Sequence, residues 1–270
     1  MPVSLFNRKG GIKDTVAKRL RSCRRTVLLL DFDGTLAPIR STPSVAGVSA
    51  GTKNLLRRLV GRRPITLCLV TGRSLHDIVK KLGIHGVILL TNHGFQISSG
   101  AASWVHPAAK QVEPLLVGLG RKLGRALEGV SGVLVESKKL TLSVHYRNVP
   151  KKDVRKVKGL VQSIAHPHRS DLMLTAGKKV VEIRPRAVWN KGHAVLRVLK
   201  SLGNKRSRCV VYIGDDTTDE DAFRLLPPSA VTIRVGAYAN TAAAFRVRNP
   251  SQVRRFLEIV DSINNGDAIR

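Results

Sequence analysis

Acidic side chains are scarce in this chain: 18 Asp and Glu stand against 47 Lys and Arg, a formal charge of +29. Aromatic residues are scarcer still, at 4%. A field of that sign attracts polyanions in general, but so few rings leave few platforms for stacked bases, and neither zinc-finger spacing nor an RNP-type motif is present. Nucleic acid is therefore not the expected partner, and basic runs such as "KKDVRKVK" at 151–158 read as solvated helix faces.

Cysteine is also rare. Three residues, Cys23, Cys68 and Cys209, are an odd number without metal-ligand spacing, which argues against a closed disulfide framework and a cysteine metal site. Cys68 and Cys209 lie within "ITLCLV" and "CVVYI", where a thiol behaves as a small hydrophobe. A reducing cytoplasm is the expected location. No apolar run approaches the roughly 18 residues of a membrane span, and the N-terminus lacks the apolar stretch of a secretory signal, so no membrane association is expected. The first 25 residues hold eight bases and one acid, a loose resemblance to a transit peptide, but the whole chain is basic. A monomer is expected.

What is present is a rhythm. Short β-rich runs, each followed by a turn and a helical pattern, end at Asp31, Thr71, Thr91, Gly214 and Gly236. Runs apolar on both faces and alternating with helices predict a parallel sheet covered on both sides, an α/β core of Rossmann type. In such sheets ligands bind beyond the carboxyl ends of the strands. Between about Gln96 and Ile183 the pattern turns antiparallel: "VLVES", "LTLSVHYR" with Leu140, Leu142 and Val144 alternating with Thr141, Ser143 and His145, and a hairpin around "AGKK", with helices expected near 107–128 and 150–165. The expected organisation is a core of 1–98 and 184–270 with an inserted α+β cap over 99–183.

The few acids are not scattered. Seven of the 18 fall in "DFDG", as Asp31 and Asp33, and in "GDDTTDED", as Asp215, Asp216, Asp219, Glu220 and Asp221. Both stretches follow strands, so the fold can unite them although 182 positions separate Asp33 from Asp215. Gathered acids repel unless a cation joins them, and hard oxygen ligands favour Mg²⁺. Capping of the following helix, with Thr218 as N-cap, accounts for Asp219 to Asp221 but not for Asp215 and Asp216. Thr71 and the following Gly72 stand where a hydroxyl and backbone N–H groups can hold a phosphoryl oxygen at a helix start, and Lys191 opens a helix in "WNKGHAVLRVL".

In order, "DFDGTL", "VTGRS", Lys191 and "GDDTTDEDAF" match the four motifs of the haloacid dehalogenase-like phosphohydrolases, and the match spans nearly the whole chain. Within that superfamily the sequence resembles the trehalose-6-phosphate phosphatases, through "DFDGTLAPI", "TNHGFQI", "VESKKLTLSVHYRNV", "VEIRPRAVWNKGHAV" and the last motif. The resemblance implies Mg²⁺-dependent hydrolysis of trehalose 6-phosphate through an aspartyl-phosphate. It makes Asp31 the nucleophile, Asp33 the general acid and base, Thr71 and Lys191 the phosphoryl-stabilising residues, and Asp31, the Asp33 carbonyl and Asp215 the metal ligands, with Asp216 beside them. Gly72 and Arg73 are implied to bind substrate. Glu136, Lys138, Arg147 and Glu182 are implied to face the sugar, while His145 is expected on the other face of its strand. Asn190 and Gln96 depart from the family, which commonly has acids there. The alternatives are a same-fold phosphatase acting on sucrose 6-phosphate or mannosyl-3-phosphoglycerate, and a basic nucleic-acid-binding protein on a degenerate phosphatase fold.

Overall fold

The computed structural model describes residues 2–7, 11–40, 42, 45–203, 207–237 and 240–265. The chain divides into two compact units, Met1–Ser103 with Trp189–Arg270, and Trp104–Val188. That division falls at 104 and 188, against the 99 and 183 drawn from the sequence.

The first unit contains β1 (Val3–Ser4), α1 (Asp14–Ser22), β2 (Arg25–Leu30), α2 (Ala50–Gly61), β3 (Ile65–Val70), α3 (Leu75–Leu82), β4 (Ile88–Thr91), β5 (Gln96–Ser99) and β6 (Ala102–Val105), the last crossing the division. The second contains α4 (Pro107–Leu127), β7 (Leu134–Ser137), β8 (Leu142–His145), α5 (Val154–Ala165), β9 (Leu172–Gly177) and β10 (Val180–Pro185). The first then resumes with α6 (Lys191–Ser201), β11 (Arg208–Gly214), α7 (Thr217–Leu225), β12 (Val231–Val235), β13 (Phe245–Val247) and α8 (Pro250–Asn265).

The large sheet runs β1-β13-β12-β11-β2-β3-β4-β5-β6, parallel from β1 to β4, with β5 antiparallel to β4. Alternation along each strand explains why helices cover both faces. Leu28, Leu30, Leu67, Leu69, Val211 and Ile213 pack with residues of α1, α2, α3 and α8. Their neighbours Val27, Leu29, Cys68, Val70, Val210 and Tyr212 pack with α6 and α7 on the opposite face. The sheet is thus apolar on both sides, the condition for a buried parallel arrangement. Cys68 and Cys209 are fully buried in these layers, and burial pushes both thiols up to about 12, which keeps them protonated and inert.

The antiparallel strand β5, the edge strand β6 beside it, and the short β1 and β13 were not expected from the sequence. They are two to four residues long, too short to show a period. Chain direction splits around β2: the segment after it goes to β3, while β11 returns to its other side. That reversal opens a crevice at the carboxyl end of β2, where Asp31 stands.

In the second unit the sheet order is β7-β8-β10-β9, all antiparallel. One face is apolar: Leu142, Val144 and Ile183 pack against Val112, Leu116, Leu119, Leu123 and Leu127 of α4 and Val157, Val161 and Ala165 of α5. Those helix residues recur at intervals of three and four, the stripe an amphipathic helix needs. The other face is polar, yet Thr141 and Ser143 on it are wholly buried. Among the described residues no helix is long and apolar enough to cross a membrane.

Candidate active site

Each strand end contributes a loop. β2 is central in its sheet and fully buried after Arg25, so the residue following it is delivered into the interior: Asp31 is 4% exposed, and its N–H continues the ladder to the Ile213 carbonyl at 2.9 Å. Lys191, at the start of α6 and 3% exposed, donates from Nζ to Asp31 Oδ1 at 2.7 Å and to Asp219 Oδ1 at 2.8 Å. A buried cation between two carboxylates replaces the hydration it has lost. Burial alone pulls the Lys191 ammonium toward neutrality, but Asp219 and Asp31 more than offset this, so it is held firmly charged.

The position of Asp219 rests on four donors. Oδ1 also accepts from the Tyr212 hydroxyl at 2.8 Å, and Oδ2 accepts the N–H groups of Asp215 at 3.0 Å and Asp216 at 2.9 Å. Asp216, not Thr218, is the N-cap of α7, and with Asp219 it forms a reciprocal capping box. One cap thereby fixes both the Asp215 loop and the lysine. The sequence assigned Asp219 to helix capping alone, because there it reads as an ordinary acid in a first helical turn; its bond to Lys191 was not expected.

One carboxylate oxygen from each of Asp31, Asp215 and Asp219 lies within 4.8 Å of the others. Burial raises the Asp31 carboxyl well above the ordinary range; Lys191 works against that, while Asp219 and Asp215 add to it. With Asp219 engaged by four donors, Asp31 and Asp215 remain as the pair suited to a cation. The donor set fits Mg²⁺: a Cβ on Gly34 (φ +85) would fall 2.1 Å from Asp215 Oδ2. The glycine next to Asp33 thus lets the Asp215 carboxylate come against this backbone, bringing hard oxygens from both motifs together. Asp216 faces its own helix start, and its Oδ1 accepts from Thr217 N–H at 2.8 Å.

The turn after β3 carries Thr71, 1% exposed. Its Oγ1 accepts the Arg73 N–H at 3.2 Å, an arrangement that leaves the hydroxyl hydrogen to be donated elsewhere. Arg73 is also buried, but its guanidinium is directed at carboxylates: Nε and Nη2 grip both oxygens of Asp33 at 2.7 Å, and Nη1 reaches Asp77 in α3. Its Cζ lies 5.3 Å from the Phe32 ring centroid. Burial lowers the affinity of Arg73 for its proton, while the bonds to Asp33 and Asp77 outweigh that and raise it. Asn190 caps α6, its Oδ1 accepting from His193 N–H at 3.1 Å, so the amide does the capping an acid would do. Gln96 Oε1 accepts from Thr91 Oγ1 at 3.4 Å.

The second unit has a polar row of its own. In the sheet register Glu136 and Glu182 both oppose Ser143, so all three project from one face. Ser143 Oγ donates to Glu182 Oε2 at 2.9 Å, and Lys138 Nζ lies 3.5 Å from Glu182 and 3.9 Å from Glu136. His145, two residues beyond Ser143, is on this same face rather than the other: its Nε2 is 2.9 Å from Glu136 Oε2. Strand alternation puts 143 and 145 together, and the contrary expectation misjudged that parity. Burial raises the Glu136 carboxyl, but the His145 hydrogen bond and the charges of Lys138 and His145 prevail over it and Glu182, leaving it lowered. Arg147 is outside this row, exposed, donating to the Lys178 carbonyl at 2.8 Å.

Comparison with known proteins follows the same residues. The trehalose-phosphatase family model matches residues 29–256. The trehalose-phosphate phosphatase of Mycobacterium bovis is 35% identical over 243 residues, which cover 87% of this chain and 61% of the relative; the chain thus spans about three-fifths of the length of such relatives. Among solved structures, a trehalose-6-phosphate phosphatase related protein superposes with a TM-score of 0.79 at 25% identity, covering 89% of this chain and 99% of its own. The C-terminal domain of the Candida albicans trehalose-6-phosphate phosphatase has the same fold, with a TM-score of 0.78 at 24% identity over 97% of this chain and 99% of its own. From the family match across both acid motifs, and from the buried lysine and carboxylates those motifs bring together, the chain belongs to the trehalose-phosphatase family.

Proposed function

We propose that this chain hydrolyses trehalose 6-phosphate to trehalose and inorganic phosphate. The carrying observation is the buried Asp31 carboxylate, pinned at Oδ1 by Lys191 and flanked by Asp215. Pinning one oxygen fixes the direction of the other, so Oδ2 can attack phosphorus while the ester P–O bond breaks. Asp33 supplies the proton to the departing sugar oxygen, then takes one from the water that cleaves the Asp31–phosphoryl bond. Each Asp33 oxygen accepts one hydrogen bond from Arg73 and keeps a further lone pair for the transferred proton. Lys191 and the Thr71 hydroxyl offset charge on the phosphoryl oxygens. Asp31, Asp215 and the Asp33 main-chain carbonyl would hold Mg²⁺, which when bound would supply further positive charge against an anionic nucleophile and substrate.

The sugar is assigned to the polar row of the second unit, where Glu136, Lys138 and Glu182 offer acceptors and a donor for hydroxyl groups; Arg147 belongs to this assignment by family resemblance. The test is phosphate release from trehalose 6-phosphate, sucrose 6-phosphate and mannosyl-3-phosphoglycerate, with and without Mg²⁺. Trehalose 6-phosphate turns over fastest, and chelation abolishes the activity. A strong preference for either other compound overturns the substrate, and full activity without a divalent ion overturns the metal.

A further inference from the structure

The segment Asn92-His93-Gly94 marks the family resemblance, yet no role in the reaction follows from it. All three residues have positive φ, 50°, 58° and 92°. For the two that are not glycine this costs on the order of 1 kcal/mol or more each, and such strain persists only where the surroundings over-determine it. The surroundings here are two catalytic loops. Asn92 N–H donates to the Arg73 carbonyl at 2.8 Å and His93 N–H to the Thr71 carbonyl at 3.0 Å, while Thr71 N–H donates back to Leu90 at 2.8 Å.

The His93 ring, 7% exposed, lies on the glycine between those two acceptors: a Cβ on Gly72 would fall 2.5 Å from its Cε1 and Nε2. On its other side the segment touches the start of α6. The Gly94 carbonyl accepts from Trp189 Nε1 at 2.9 Å, and a Cβ on Gly94 would fall 2.5 Å from the Ala194 Cβ and 3.3 Å from the Asn190 carbonyl. Three residues therefore bridge the Thr71 turn and the helix turn that presents Lys191.

We infer that His93 is a positioning residue: its ring, packed on Gly72, and its strained backbone hold the Thr71 turn at a fixed distance from the start of α6, so that hydroxyl and ammonium meet the phosphoryl group as one rigid pair. This rests on the reading that Thr71 and Lys191 serve that group. A clamp of this kind acts on any oxyanion seated between Thr71 and Lys191, whatever sugar it carries, and that separates it from a residue that only supports folding.

The test is His93→Gly, which removes the ring but keeps the N–H and relieves the backbone. The expected result is a fall in kcat and a rise in the inhibition constant of inorganic phosphate, each at least tenfold, with thermal stability close to that of the parent. His93→Gln, keeping an amide but no ring, shows the same rise and serves if the glycine variant does not fold. Phosphate inhibition and kcat within twofold of the parent in a folded variant would overturn the inference. So would a loss of activity matched by loss of folded protein in both variants. Asp31→Asn is run beside them: turnover surviving there refutes the phosphatase mechanism itself, whereas an inactive Asp31→Asn with a normal His93→Gly removes only the clamp.

Discussion

The two units each assemble carboxylates around a lysine, and they do so with different tightness. In the first, Lys191 makes hydrogen bonds of 2.7 and 2.8 Å to Asp31 and Asp219. In the second, Lys138 stands 3.5 and 3.9 Å from Glu182 and Glu136, at ion-pair rather than hydrogen-bond distance. A charge that must face a transferring phosphoryl group gains from being fixed in advance, since no reorganisation remains at the moment of reaction. Groups that meet hydroxyls of a bound sugar share the task among several contacts, and each can shift by tenths of an ångström. The contrast implies that changes in the first cluster strike turnover and folding together, and that changes in the second strike affinity.

Lys191→Ala breaks that comparison most severely. It leaves Asp31 and Asp219 buried without their cation, so we expect a loss of about 3–5 kcal/mol of stability by denaturant titration, together with a fall in kcat of at least about 10²-fold. Asp219→Asn comes next. It preserves shape but removes the charge that balances Lys191, and kcat drops by about 10²-fold with a smaller change in KM; an unchanged kcat would show that the lysine needs no anchor.

How much of this was legible in the sequence depended on distance along the chain. Asp31 and Asp215 stand out in the sequence at the ends of apolar runs, Asp33 two residues beyond the first, and Lys191 at the opening of the first helix after the insertion; the structure brings Asp31, Asp215 and Lys191 together. Asp219 was seen but misread: an acid at N3 looks the same whether it serves its own helix or reaches back to a lysine 28 positions away. The sequence shows Arg73 in its motif but not that the guanidinium grips both oxygens of Asp33 and reaches Asp77, four residues on. Strands β1, β5, β6 and β13 escaped notice because two to four residues show no periodicity. The strain at Asn92 and His93 is a backbone property that composition does not announce.

Smaller perturbations sharpen the contrast. Glu182→Gln, in the looser cluster, raises KM for trehalose 6-phosphate by about tenfold, the effect of about 1.4 kcal/mol, while hydrolysis of p-nitrophenyl phosphate, which offers no sugar, stays near the parent rate. Equal losses on both substrates would place Glu182 in the chemistry and not in sugar binding. Tyr212→Phe removes one of four donors to Asp219 and costs about 1–3 kcal/mol of stability, because a buried acceptor loses a partner.

The smallest effect is a pH dependence. Glu136 has its folded pKa lowered below the ordinary 4.5, so its contribution to stability is present above that value and fades as pH falls through the lower folded one. The parent should thus lose more stability than Glu136→Gln between about pH 5 and 3 in thermal melts. Parallel curves would mean that His145 and Lys138 do not favour the ionised carboxylate.

The most direct test of the central claim, that buried Asp31 carries the phosphoryl group, is a rapid quench during turnover followed by borohydride reduction and peptide mass mapping. An acyl phosphate at Asp31 is reduced to homoserine, and the peptide containing residue 31 carries that change only when substrate is present. Steady turnover with Asp31 unreduced, or the change at another carboxylate, contradicts the account.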